Sequence, residues 1–198
     1  MLIAGFCVAL WVAPERFGAG AIRYVVLLMV LEFIVVHSAA FMGKITVGSS
    51  GRAWRTLGII GLGAGYSAFV AAFCFVFGEW WPLPAFWLLI LNRLAGALLH
   101  KGEPGAARAL GLSWAAAIVA YLGAALLSKL LPIPRLGVTP DIQAAADLPG
   151  SGIIWIEEPH RVLAAAALYF TLMACWEFVR LRVAAWSIWA SASTRPPA

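Results

Sequence analysis

Hydrophobic residues form five long stretches in this sequence, and polar residues gather in the segments between them. The stretches cover residues 21–43, 57–78, 81–99, 107–131 and 162–179. Each is close to the roughly 20 residues with which an α-helix crosses a hydrocarbon core of about 30 Å. The pattern therefore predicts five transmembrane helices.

A shorter apolar stretch, residues 1–13, precedes the first predicted helix. As a helix it would be about 20 Å long, which is less than the thickness of the hydrocarbon core. The sequence leaves two alternatives for it, a half-span that dips into the membrane or a sixth transmembrane helix. The segment 132–160 is more polar and is predicted to be a loop on the outer side.

Composition points to the same class of protein. Hydrophobic residues make up 63% of the chain, charged residues make up 12%, and the mean hydropathy is +0.91. Soluble domains are less apolar, so we expect an all-α integral membrane protein that forms one domain over residues 1–198. The net charge of +5 is small and scattered, so nucleic-acid binding is not indicated.

Basic and acidic residues lie on opposite sides of the predicted helices. One side carries Lys44, Arg52, Arg55, Lys101, Arg108, Arg180, Arg182 and Arg195. The other side carries Glu79, Asp141, Asp147, Glu157 and Glu158. Because lysine and arginine concentrate in cytoplasmic loops, the chain is predicted to lie in the cytoplasmic membrane with its C-terminus in the cytoplasm.

Four polar residues inside the predicted helices form the first candidate site. Glu32 lies near the middle of its span, where an unpaired acid costs roughly 2.5–3.5 kcal/mol, so it should have a partner. Arg93 is the predicted partner, because its long side chain can lean toward the membrane centre. His37 and Asn92 lie at a depth similar to that of Arg93. We therefore expect an intramembrane polar cluster of Glu32, His37, Asn92 and Arg93.

The role of this cluster has alternatives. A Glu32–Arg93 pair can lock two helices together or mark a path for protons or cations. Glu32 and His37 are five residues apart, about 140° around a helix, so they are poor joint ligands for one metal ion. For His37 a hydrogen bond to a neighbouring helix is favoured over a role as a ligand.

A second, weaker candidate lies just before the last predicted helix. Glu157, Glu158 and His160 could supply oxygen and nitrogen ligands to a cation. Acidic residues are also ordinary, favourable neighbours of a helix N-terminus, and this explanation is preferred.

Glycines at Gly58, Gly61 and Gly65 fall within the second predicted helix. They do not fit a phosphate-binding loop, because Tyr66 stands where the G-x-G-x-x-G pattern needs glycine and no strand precedes them. A G-x-x-x-G pair lets a second helix approach closely, so these residues are predicted to serve helix packing.

The sequence favours a helical accessory or assembly subunit, or a homo-oligomer, over an enzyme. No nucleophile elbow, phosphate loop or zinc-helix motif occurs, and the sequence identifies no cofactor. The main alternative is a proton- or cation-linked channel or carrier that uses Glu32, Arg93 and His37. The third is an intramembrane enzyme or cofactor binder that uses His37.

Overall fold

The computed structural model describes residues 1–47, 51–99, 106–150 and 154–193. The helices are α1 (Leu2–Val12), α2 (Gly20–Val47), α3 (Arg52–Phe77), α4 (Pro82–Leu99), α5 (Ala106–Leu130), α6 (Pro140–Ala145), α7 (Ile154–Glu157) and α8 (Pro159–Ser193). A short 3₁₀ turn, Pro14–Arg16, joins α1 to α2. No β-strand occurs within the described ranges, so the all-α prediction is confirmed.

Within the described residues, four helices are long and apolar enough to cross a bilayer: Gly20–Ile45, Ala53–Phe77, Gly111–Leu130 and Pro159–Val183. They correspond to four of the five predicted spans. The fifth, in α4, has a shorter apolar part, Pro82–Asn92, so a count of five spans stays a prediction. Helix α1 has 11 residues, about 16 Å, and lies below the length of a span.

Helix α8 extends well beyond the predicted range 162–179 and has 35 residues. After Pro159 the chain contains no proline or glycine until Pro196, so nothing in the sequence stops the helix where the apolar stretch becomes polar. A hydropathy pattern marks the apolar part of a helix, and the helix itself ends where its backbone geometry breaks.

Helix α2 is the centre of the bundle, because it is buried on two sides. On one side it packs with α1, α5 and α8, around a core that includes Val25, Met29 and Leu163. On the other side it packs with α3 and α4, around a core that includes Leu31 and Phe86. Groups on α2 are therefore positioned by helices from both halves of the chain.

The predicted outer loop folds back onto one end of the bundle. The Trp11 indole N–H donates to the carbonyl of Pro134 at 3.0 Å, and the Gly137 N–H donates to the carbonyl of Trp11 at 3.1 Å. Val138 is fully buried and Ala146 is nearly so. This segment fastens the end of α1 to the region that follows α5.

Arg161, in the first turn of α8, holds the end of α5. Its guanidinium donates to the carbonyls of Ser128 at 2.6 Å, Lys129 at 3.4 Å and Leu131 at 3.0 Å. Carbonyls in the last turn of a helix lack partners within the helix, and a buried one is costly to leave unpaired. Arg161 satisfies them and joins α8 to α5.

Candidate functional site

Glu32 lies near the middle of α2, and its carboxylate faces α8. The Tyr169 hydroxyl donates to Glu32 Oε2 at 3.0 Å, and the Tyr169 side chain is buried. Among the described side chains Tyr169 is the hydrogen-bond partner of this carboxylate. A neutral donor, rather than a charge, therefore meets the acid in the described part of the bundle.

Aromatic residues surround this contact. The Tyr121 hydroxyl donates to the carbonyl of Met29 at 2.9 Å, one turn of α2 before Glu32. The ring of Tyr121 lies edge-on to that of Tyr169, with centroids 5.6 Å apart, and it also contacts Trp155 of α7 at 6.3 Å. Helices α2, α5 and α8 thus meet around Glu32 through hydroxyl groups and rings.

The other members of the predicted polar cluster lie elsewhere. His37 is exposed on α2, and its ring contacts those of Phe33, Phe41 and Tyr66 at centroid distances of 5.8, 5.5 and 6.0 Å. No hydrogen bond joins His37 to another described residue.

Asn92 is exposed on α4, while the side chain of Arg93 lies outside the described residues. No described contact joins Glu32 to His37 or Asn92. The cluster and the Glu32–Arg93 pair stay predictions.

An apolar groove runs beside the first half of α2. It has a volume of about 310 Å³ and is lined by Phe6, Tyr24, Val25, Leu28 and Trp81. It opens to the outside of the bundle between α1, α2 and Trp81, the residue just before α4. Its volume lies within the range of small-molecule pockets, roughly 300–1,000 Å³.

The glycines of α3 divide into two groups. A Cβ added at Gly58 would lie 3.1 Å from the Ile45 side chain of α2, and one at Gly63 would lie 3.3 Å from Ile90 of α4. These two glycines allow close packing within the chain. Cβ atoms added at Gly61 or Gly65 would meet no atom of the described residues within 4 Å. Gly58 therefore allows α3 to pack closely against α2 within the chain, whereas Gly61 and Gly65 face outward.

The second candidate site is engaged in structural contacts. Glu158 forms an ion pair with Arg161, and this hydrogen bond holds the pKa of the Glu158 carboxyl below its usual range. His160 is buried, and its Nδ1 has no hydrogen-bond partner in the described part of the chain. No three His, Cys, Asp or Glu side chains among the described residues are placed to hold a metal ion. The cation-site prediction gains no support here and stays a prediction.

Sequence reasoning overlooked Tyr169 as the partner of Glu32. Tyr169 is 137 positions away in the sequence, but it lies in another apolar stretch at a comparable depth. A search for hydroxyl groups at the depth of Glu32 would have found it. Comparison with protein-family models, with curated proteins and with solved structures finds no match to this chain.

Proposed function

We propose that this chain is a multi-pass membrane protein that works as a helical accessory subunit or a homo-oligomer, and that α3 provides its contact with another helix. The observation that carries the proposal is the open face of α3. Gly61 and Gly65 leave room there for a neighbouring backbone, and Ala68 and Ala72 continue the same face with small, exposed side chains. Small residues let transmembrane helices approach closely, which is how helices associate in lipid.

The exposed face of α5 differs and supports this choice of surface. It presents large aliphatic side chains, among them Leu112, Val119, Leu122 and Leu126. Such side chains fit a surface that contacts lipid tails. The uncovered face of α3 combines its small residues with larger exposed ones, among them Leu57 and Phe69. Small residues let a second helix approach more closely than a surface of large aliphatic side chains does.

Charge supports a cytoplasmic-membrane location with the C-terminus inside. Ile45 packs on Gly58, so the end of α2 and the start of α3 lie together. Arg180 of α8 donates to the Ser113 hydroxyl of α5 at 3.1 Å, which brings α8 to the first half of α5. Basic residues concentrate toward this end of the bundle, and they include Lys44, Arg55, Arg108, Arg180 and Arg182. Such a bias is typical of the cytoplasmic side.

The test compares two Gly→Leu substitutions at open helical positions. Gly61 lies on the proposed contact face, whereas Gly111 of α5 is exposed and also has no described atom within 4 Å of an added Cβ. The native mass of each particle is measured after extraction into lipid nanodiscs. Gly61→Leu should release the partner or reduce the oligomer, and Gly111→Leu should leave the mass unchanged. Retention of the full mass by Gly61→Leu would contradict the proposal, as would a wild-type particle that is a single chain.

A second function, a proton- or cation-linked carrier, is favoured by the setting of Glu32. An acid in the middle of a helix long enough to cross a bilayer is costly, and such residues often mark transport pathways. Its described partner is one neutral hydroxyl, that of Tyr169. For this function Glu32→Gln should abolish flux into liposomes while assembly is retained, and unchanged flux would exclude it.

A further inference from the structure

His160 is a buried, unpaired imidazole near the predicted outer end of the bundle. It is the second residue of α8, and only 3% of its surface is exposed. Its Nδ1 is enclosed and has no hydrogen-bond partner in the described part of the chain. A buried polar atom without a partner costs free energy, and a buried charge without a partner costs much more. The packing around His160 therefore opposes protonation of the ring.

The charges around His160 oppose protonation as well. Among the described residues, those whose charge acts on it are Arg161 of α8, Glu158 just before α8, and Arg135 of the outer segment. Two of the three are cations. The one acid, Glu158, already forms an ion pair with Arg161. His160 also lies in the first turn of a helix, where the positive end of the helix dipole repels a further cation.

The residues that flank His160 are joined to the outer segment, residues 132–150. The Gln143 side chain of this segment donates from Nε2 to the carbonyl of Glu157 at 2.6 Å. On the other flank, Val162 of α8 shares a hydrophobic core with Val138, and both are fully buried. An opening that brings water to His160 therefore also loosens the outer segment.

We propose that His160 is an acid-sensitive latch that holds the outer segment against the bundle. When the segment opens, the imidazole enters water and takes up a proton near its ordinary pKa of about 6.5. Because the open form binds this proton and the closed form opposes it, opening becomes more favourable as the pH falls below that value. The opening equilibrium should rise about tenfold between about pH 7.5 and about pH 5.5. The latch involves neither the α3 face nor Glu32, so it is independent of both proposed functions.

The experiment measures amide hydrogen exchange by mass spectrometry on the full chain in nanodiscs, at about pH 7.5 and about pH 5.5. Exchange over residues 132–150 is divided by the intrinsic rate at each pH. The Gly137 amide is the most direct reporter, because it donates to the carbonyl of Trp11 in α1 at 3.1 Å.

Three variants are compared with the wild type. His160→Met replaces the titrating ring by an apolar side chain of similar size. His37→Met is the matched control, because it removes an exposed imidazole from α2. His160→Gln is also neutral, and it decides the matter if His160→Met does not fold. Size-exclusion chromatography reports whether each variant is folded.

In the wild type and in His37→Met, corrected exchange over residues 132–150 should rise about tenfold from about pH 7.5 to about pH 5.5. In His160→Met and His160→Gln it should not rise. Amides at the centre of α2 should keep their protection, because the opening is local. The proposal is overturned if the wild type shows no rise, if either folded His160 variant keeps the rise, if His37→Met loses it, or if the centre of α2 opens to the same extent.

Discussion

Replacing Gly137 by alanine tests how the outer segment is fastened to α1. A Cβ at this position would lie 2.4 Å from the carbonyl oxygen of Val12 and 2.5 Å from Cδ of Pro14. The first of these atoms belongs to the backbone and the second to a rigid ring, so neither can swing aside as a flexible side chain would. The segment and α1 must separate to admit the methyl group. Overpacking of this kind costs about 1–3 kcal/mol.

The assay is thermal unfolding in nanodiscs, followed by tryptophan fluorescence. For a chain of this size a loss of about 1–3 kcal/mol lowers the apparent Tm by about 2–12 °C. Gly123→Ala in α5 is the matched control, because its added Cβ meets no described atom within 4 Å. Alanine is a better helix former than glycine, so the control should melt at or above the wild-type temperature. If Gly137→Ala melts at the same temperature as the control, the segment does not rest on α1 and the packing argument is wrong.

Three further predictions concern hydrogen bonds and charge. Tyr169→Phe removes the donor to Glu32 and should lower the free energy of unfolding by about 0.6–1.7 kcal/mol, so an unchanged denaturation midpoint would count against the contact. Arg161→Met leaves the carbonyl of Leu131 unpaired and should speed amide hydrogen exchange in the last turn of α5. An exchange rate equal to that of the wild type would show that Arg161 does not stabilise the end of α5.

The third prediction concerns Glu158, whose pKa in the folded protein is lowered by the hydrogen bond from Arg161. The ion pair therefore contributes its full stabilisation above the unfolded-chain pKa of about 4.3. This stabilisation is lost as the pH falls through the folded-state pKa. Between about pH 5 and about pH 3 the apparent Tm should therefore fall more steeply in the wild type than in Glu158→Gln, and equal slopes would refute the pairing.

The apolar stretches of the sequence predicted the long helices well, because a run of about 20 apolar residues has few other stable arrangements. Local pairs were predictable for a similar reason. Glu177 and Arg180 are three residues apart on one helix, and they form an ion pair at 3.0 Å. Such contacts follow from helix geometry alone.

Contacts between helices were harder to predict, because depth in the membrane does not reveal which helices are neighbours. The approximate depth of Glu32 was known from its position in its span, but the choice of Tyr169 as its partner depends on α8 packing beside α2. The packing of the outer segment against α1 could not be predicted for the same reason. Its anchor at Gly137 is a contact with a backbone 125 positions earlier, and composition gives no sign of it.

Cysteine cross-linking in native membranes tests the α3 contact most directly. Cys7 and Cys74 are buried and Cys175 is exposed, so a Cys175→Ser background leaves the surface ready for single new cysteines. Gly65→Cys places a thiol on the proposed contact face, and Leu122→Cys places one on the exposed face of α5. With a maleimide that carries a photoreactive benzophenone, which can capture any neighbouring chain, the proposal predicts a cross-linked species from Gly65→Cys and none from Leu122→Cys. A single-chain product from both, despite equal labelling by a monofunctional maleimide, would contradict it.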